Sequence, residues 1–211
     1  MHFEVREFTD EDLSGVVKAF VEGFASRDKI VYRLSRFDPG LIEDVVRLFI
    51  EAGDLVLVAE SEGKARGILV GDLSNSFRSE DLYRSLSIFA SSSLKISDHR
   101  TIFSLFDGVM YAFQFSLHYT SVPSILLLTS QKGFREGIGT ALMDRWIEEV
   151  KREGYDSTIV GTDERLNWRF YERYGFERNK TFKLRPRPIS RPSEKIDGFI
   201  YKYDIISSNS F

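Results

Sequence analysis

The chain has 211 residues, 42% of them hydrophobic, and its 29 basic and 32 acidic side chains leave a net charge of −3. That length suits one domain with a real core, the apolar fraction excludes global disorder, and the charge balance gives no global electrostatic reason to expect nucleic-acid binding. The absence of Cys excludes disulfides, thiolate nucleophiles, iron–sulfur clusters and Cys-based zinc sites, and three scattered His (His2, His99, His118) do not suggest a metal centre.

The first residues, MHFEVREFTDEDL, are charged and lack the apolar core of a signal peptide. The one membrane-like stretch, 101–117, is shorter than the roughly 20 residues a spanning helix needs and contains Asp107. A buried amphipathic helix is the better reading there. The expectation is a single cytoplasmic domain over 1–211 with no membrane or nucleic-acid partner, with a homodimer left open.

Residues 3–8 alternate in polarity like a half-buried strand, and Thr9 with Asp12 three residues later resembles a capping box. A helix should follow with Leu13, Val16, Val17, Phe20, Val21 and Phe24 on one face. A basic connection, 26–37, leads to Asp38-Pro39, which opens a second helix carrying Ile42, Val45, Val46 and Phe49 and stopped by Gly53. Residues 55–60, a turn at 61–63 and residues 64–72 read as a β-hairpin.

Between 73 and 122 the pattern changes to two helical segments, near 78–91 and 98–117. The second places Ile102, Phe106, Val109, Met110, Phe113 and Leu117 on one stripe, and its dense aromatics read as a packing layer. Then come an apolar strand (124–129), a glycine-rich turn, a helix (137–153), a strand (156–162), a short helix (165–174), a strand (176–184), a Pro/Arg-rich loop (185–192) and a last strand (198–205). The order describes an α/β protein with a helical insertion before the 124–129 strand.

The stretch ILLLTSQKGFREGIGTALM (125–143) carries the most chemistry. A strand runs into a loop with Gly133, Gly137 and Gly139 that opens directly into a helix. Glycines there let the backbone approach a ligand, and the free N–H groups and positive dipole end of the helix make an anion site. A P-loop would need a Lys before Thr140, and a dinucleotide fingerprint would need a third Gly where Leu142 stands.

This stretch resembles instead the pyrophosphate loop of the GNAT superfamily, the acetyl-CoA-dependent N-acetyltransferases, whose pattern Arg/Gln-x-x-Gly-x-Gly/Ala ends on Gly137-Ile138-Gly139. Phe134 stands at the Arg/Gln position, with Arg135 one residue displaced. A second motif, roughly Asn-x-x-Ala-x-x-Phe-Tyr-Glu-x-x-Gly-Phe in the family, is matched by TDERLNWRFYERYGFER (162–178), with Phe170-Tyr171-Glu172 and Gly175-Phe176 in register. The resemblance spans most of the chain apart from 73–122.

The resemblance implies a GNAT-type acyl-CoA N-acyltransferase fold and transfer of an acetyl group from acetyl-CoA, as co-substrate and without a metal, to a small-molecule or peptide amine. By the same resemblance, Leu127, Leu128 and Thr129 would lie along the pantetheine arm. Phe134, Arg135, Glu136, Gly137, Ile138, Gly139 and Thr140 would hold the pyrophosphate, Asn167 would meet the cofactor, and Tyr171 would be the general acid. Tyr174, three residues away, competes with Tyr171, and Asp163 reads as a helix cap.

The 124–129 strand carries no carboxylate, so the base is sought among Glu22, Glu60, His118 and solvent. Arg27, Lys29, Arg33 and Arg36 in one loop, and Lys183, Arg185, Arg187 and Arg191 in another, suggest an acceptor that also bears an anionic group. The alternative function is a non-catalytic, CoA-binding or regulatory module of the same fold.

Overall fold

Strand β1 (Glu4–Glu7) is followed by Thr9 and Asp12, which form the expected capping box. Asp12 Oδ2 accepts the Thr9 N–H at 2.9 Å, and both carboxylate oxygens take Arg6 at 2.7 and 2.8 Å. Arg6 also reaches Glu60 at 2.9 and 3.0 Å, so one guanidinium ties β1, the start of α1 (Leu13–Phe24) and β2 (Leu55–Ser61) together. The same guanidinium, more than the opposing effect of burial, holds the Asp12 carboxyl below its ordinary range.

In this computed structural model the described residues are 3–24, 31, 39–74, 107–108, 110–111, 114–115, 118, 122–133, 137–186 and 192–205. Helix α2 (Pro39–Ala52) starts at the proline and ends at Gly53, as its sequence directs. The hairpin of β2 and β3 (Lys64–Asp72) turns through Glu62 and Gly63, whose φ values of 56° and 69° belong to the two-residue turn that matches strand twist.

Strand β4 (Ser124–Ser130), α3 (Ile138–Arg152), β5 (Ser157–Asp163), α4 (Trp168–Tyr174), β6 (Glu177–Leu184) and β7 (Ile196–Asp204) complete the described elements. The seven strands form one sheet in the order β1-β2-β3-β4-β5-β7-β6, antiparallel everywhere except between β4 and β5.

Helices α1 and α2 press Val16, Phe20, Ile42 and Val46 onto Val58, Ile68, Val70 and Leu127. On the other face, α3 lays Ile138, Leu142, Trp146 and Val150 over Leu57, Leu69, Ile125, Val160 and Tyr201. Trp146, fully buried, spans two strands. Its ring fills the space beside Gly71 on β3, where an added Cβ would lie 2.1 Å away, and its indole N–H donates to Thr158 Oγ1 on β5 at 3.0 Å.

A third cluster joins Ile159, Leu184, Ile196 and Ile200 to Phe115 and Tyr111 of the insertion. Ile159 lies in register with Ser124, whose neighbour Ile125 faces α3, so this cluster sits on the face that also carries α1 and α2.

The segment 78–91 lies outside the described residues, as do Ile102, Phe106, Val109, Phe113 and Leu117 of the expected stripe. Among the described residues of 107–118, Asp107 (1% exposed) is buried and Tyr111 and Phe115 (8%) pack into this cluster, the three spaced by four. Hydropathy passes over this face because two of its three members are polar; the Tyr111 hydroxyl donates to Asp163. The short helix also begins later than expected, at Trp168. Asp163 Oδ1 accepts the N–H groups of Arg165 (2.7 Å) and Leu166 (3.2 Å), which makes 164–167 a turn.

Candidate active site

The parallel pairing of β4 with β5 consists of Ser124↔Ile159 and Ile125↔Val160. On its other edge β4 pairs Leu127 with Val70 but Ile125 with Gly71, so Leu126 is an extra residue, a β-bulge. The bulge breaks the alternation of β4. Leu126 and Leu127 both meet the α1/α2 cluster, Leu128 meets the α3 cluster, and Thr129 Oγ1 donates to the Ala19 carbonyl of α1 at 3.1 Å. Strand β4 therefore diverges from β5 beyond Ile125. The β5-facing backbone edge of Leu127, Leu128 and Thr129 has no strand partner among the described residues.

The loop that follows is anchored by two side chains. Gln131, 2% exposed, donates to the carbonyls of Gly15 (3.2 Å) and Ala65 (3.1 Å) and accepts from Arg66 Nη1 at 3.1 Å. Glu22 Oε2 accepts the Lys132 N–H at 2.7 Å. Gly133 and Gly137 have φ values of 85° and 84°, which favour glycine; Phe134, Arg135 and Glu136 lie outside the described residues.

Gly137 caps α3, and the first helical bond runs from the Ala141 N–H to the Gly137 carbonyl at 2.8 Å. The N–H groups of Ile138, Gly139 and Thr140 thus have no partner within the helix and stand at its positive end. Gly139 also lies against α4: a Cβ there would stand 3.2 Å from the Phe170 ring, a tight contact that the glycine avoids.

Helix α4 faces the same region. Tyr171 is half-buried in the α3-side cluster, and its ring lies near Phe170, Phe176 and Tyr201 at 5.4–6.1 Å. Tyr174 is fully committed elsewhere. Its hydroxyl donates to Asp144 Oδ1 at 2.7 Å, clamping α4 to α3, and burial together with that carboxylate pushes its phenol well above the ordinary value. Asn167 is the exposed N-cap of α4; its carbonyl accepts the Phe170 N–H at 3.0 Å and its side chain caps nothing.

Sequence reasoning missed a second cluster behind Tyr171. The buried Tyr201 hydroxyl donates to Glu172 at 2.8 Å and accepts from Arg178 at 2.8 and 3.0 Å, while Arg178 also pairs with Glu172 and lies over the Phe199 ring at 4.2 Å. These bonds pin α4 to β6 and β7. No motif signals them, because their members are 29 residues apart at the widest.

The candidate bases do not converge on the split. Glu60 is held by Arg6 on β2, two strands from β4. Glu22 serves the loop. His118 lies tilted against Phe182 of β6 with ring centroids 3.9 Å apart, and Lys180 Nζ is 3.1 Å from its Nδ1; burial first, then the lysine charge, lowers its pKa. Of the basic loop residues, Lys183 pairs with Asp197 at 2.6 Å, and the Arg185 backbone exchanges two bonds with the Gln114 side chain. Arg27, Lys29, Arg33, Arg36, Arg187 and Arg191 lie outside the described residues.

Among the described residues, no group of three or more acidic or His side chains could hold a metal ion, and no helix is long and apolar enough to cross a membrane.

A seven-stranded mixed sheet, split between its parallel strands beside a bulge and followed by a helix with a glycine N-cap, is the GNAT acyltransferase fold. A GNAT-family protein from Desulfovibrio desulfuricans matches with a TM-score of 0.56 at 12% identity, covering 97% of this chain and 99% of that one. Protein yncA of Salmonella typhimurium, solved with acetyl-CoA as its cofactor, matches at 0.55 and 14% over 100% and 98%. The PaiA N-acetyltransferase of Thermoplasma acidophilum, solved with coenzyme A, matches at 0.54 and 13% over 97% and 99%. No protein-family model matches the sequence, and no curated protein sequence does.

Proposed function

We propose that this chain transfers an acetyl group from acetyl-CoA to a primary amine. The observation that carries the reading is the split between β4 and β5: a strand edge with no strand partner among the described residues leads to α3, whose first N–H groups have no partner within the helix. The pantetheine amides would bond the backbone of Leu127, Leu128 and Thr129. The pyrophosphate would meet the N–H groups of Ile138, Gly139 and Thr140 with the loop 134–137, and Asn167 would meet the cofactor from α4. The solved GNAT folds that hold acetyl-CoA or CoA support the choice of acetyl-CoA as co-substrate.

Acetyl-CoA supplies an activated carbonyl and a thiolate leaving group. A β4 backbone N–H at the bulge would stabilise the oxyanion as the amine adds, and the Tyr171 hydroxyl would give its proton to the departing thiolate. Calorimetric titration with acetyl-CoA, ATP and NAD, followed by thiol release on a panel of amines, tests the reading. Binding of acetyl-CoA with amine-dependent release supports it, and preference for ATP or NAD overturns it. Binding without release on any amine identifies a non-catalytic CoA module instead.

A further inference from the structure

The face that carries α1 and α2 is covered by two apolar clusters, one over β2–β4 and one over β5–β7, and the split lies between them. At the closed end of that seam the side chains are polar. Asp72, the last residue of β3, is 2% exposed and stands in register opposite Ser124, also 2% exposed. Residues 68–71 of β3 fix which way Asp72 points: Ile68 and Val70 meet the α1/α2 cluster, while Leu69 and the Trp146 ring beside Gly71 lie on the α3 face. Asp72 therefore shares the α1/α2 face with Ser124, as registered cross-strand neighbours do.

Its backbone is held from both sides. The Asp54 N–H donates to the Gly71 carbonyl at 3.1 Å, and the Asp54 carboxylate accepts the N–H groups of Leu73 (2.6 Å) and Ser74 (2.7 Å). Ser124 begins the two-rung contact with β5, and the strands part immediately beyond Ile125. A buried carboxylate thus stands one rung from the point where β4 leaves β5, on the face opposite α3.

We propose that Asp72 is the base that receives the acceptor's proton, and that the acceptor enters along this seam as a cationic alkylammonium. The inference rests on the acetyl-transfer reading. The ammonium gives one proton to the Asp72 carboxylate, directly or through a water, and the freed nitrogen lone pair forms the C–N bond. The C–S bond then breaks, the thiolate takes the Tyr171 proton, and the adduct's remaining extra N–H proton restores Tyr171. Asp72 releases its proton to solvent.

The test compares an alkylamine (benzylamine) with hydroxylamine, a nucleophile already neutral near pH 7, on the full chain. Asp72→Asn should lose about 100-fold in kcat/KM with benzylamine. It should recover as pH rises towards the amine pKa, keep its rate with hydroxylamine, and keep its acetyl-CoA affinity. Equal losses with both nucleophiles at every pH, together with a lowered Tm, would mean a purely structural role and overturn the proposal. Should the variant not fold, the wild-type pH profile decides: an acid limb larger with benzylamine than amine ionisation explains, and absent with hydroxylamine, supports Asp72, and identical limbs refute a carboxylate base. Wild-type protein that binds acetyl-CoA but releases no thiol with either nucleophile refutes the transfer reading itself, and the proposal with it.

Discussion

Gln131 offers the clearest link between the core and the cofactor loop. Its amide ties the start of the loop to α1 and β3 in one buried knot, with bonds to Gly15, Ala65 and Arg66. Gln131→Met keeps the length of the side chain and removes all three. Two neutral bonds at about 1 kcal/mol each and a charge-assisted one at about 2 kcal/mol set the scale. Arg66 also reaches Glu62 at 3.7 Å and keeps part of its stabilisation, so the expected loss is about 3 kcal/mol.

For a chain of this size that lowers Tm by about 6–12 °C. The functional consequence should be separate. With its anchor gone, the loop holds its N–H groups less rigidly, and calorimetric affinity for acetyl-CoA should fall at least about tenfold, or 1.4 kcal/mol. Asp12→Asn, which loosens Arg6 on the edge strand β1, serves as the destabilised control and should leave that affinity unchanged. A Gln131→Met protein that loses stability but binds acetyl-CoA as tightly as wild type would refute the claim that this residue positions the loop.

Gly137→Glu forces a side chain into a φ of 84° and sets a negative charge at the positive end of α3, so acetyl-CoA binding should be abolished in a titration. Tyr171→Phe should lower kcat about 100-fold with acetyl-CoA affinity intact, and an unchanged kcat would remove that hydroxyl from the chemistry. Tyr174→Phe should do the reverse: stability falls by about 1 kcal/mol with its Asp144 bond while kcat holds. His118 has a folded pKa below its unfolded value, so its neutral form favours the fold and stability declines as pH falls below about 6.5. His118→Gln should make urea midpoints less sensitive to pH between about 7.5 and 5; parallel pH dependences would count against the assignment.

Much of the scaffold was legible because its elements obey a single period. Val16 and Phe20 of α1, or Trp146 and Val150 of α3, mark a buried stripe in any window of the sequence, and both predicted helices are present. The hairpin turn is legible too, since Gly63 supplies one of the positive φ values it needs. The bulge is not. Residues 125–128 are uniformly apolar, so nothing in their order says that Leu126 and Leu127 share a face. Distance hides the rest: Tyr111 finds Asp163 and Gln131 finds Gly15 across 52 and 116 positions. The glycine motif marks the start of α3, but nothing local says that the missing side chain of Gly139 also leaves room for the Phe170 ring. Local pattern reports where the backbone must bend, and tertiary contact decides what it bends around.

Trp146 also gives the sheet a mechanical character. The β1–β4 ladder and the β5–β7–β6 ladder share only two rungs, and the indole bridges them on the α3 side, pressed against Gly71 and bonded to Thr158. The two ladders are thus riveted at one end, where the rungs, the indole and the Thr158 bond to the Pro123 carbonyl coincide, and part at the other, so the width of the opening is set from its closed end.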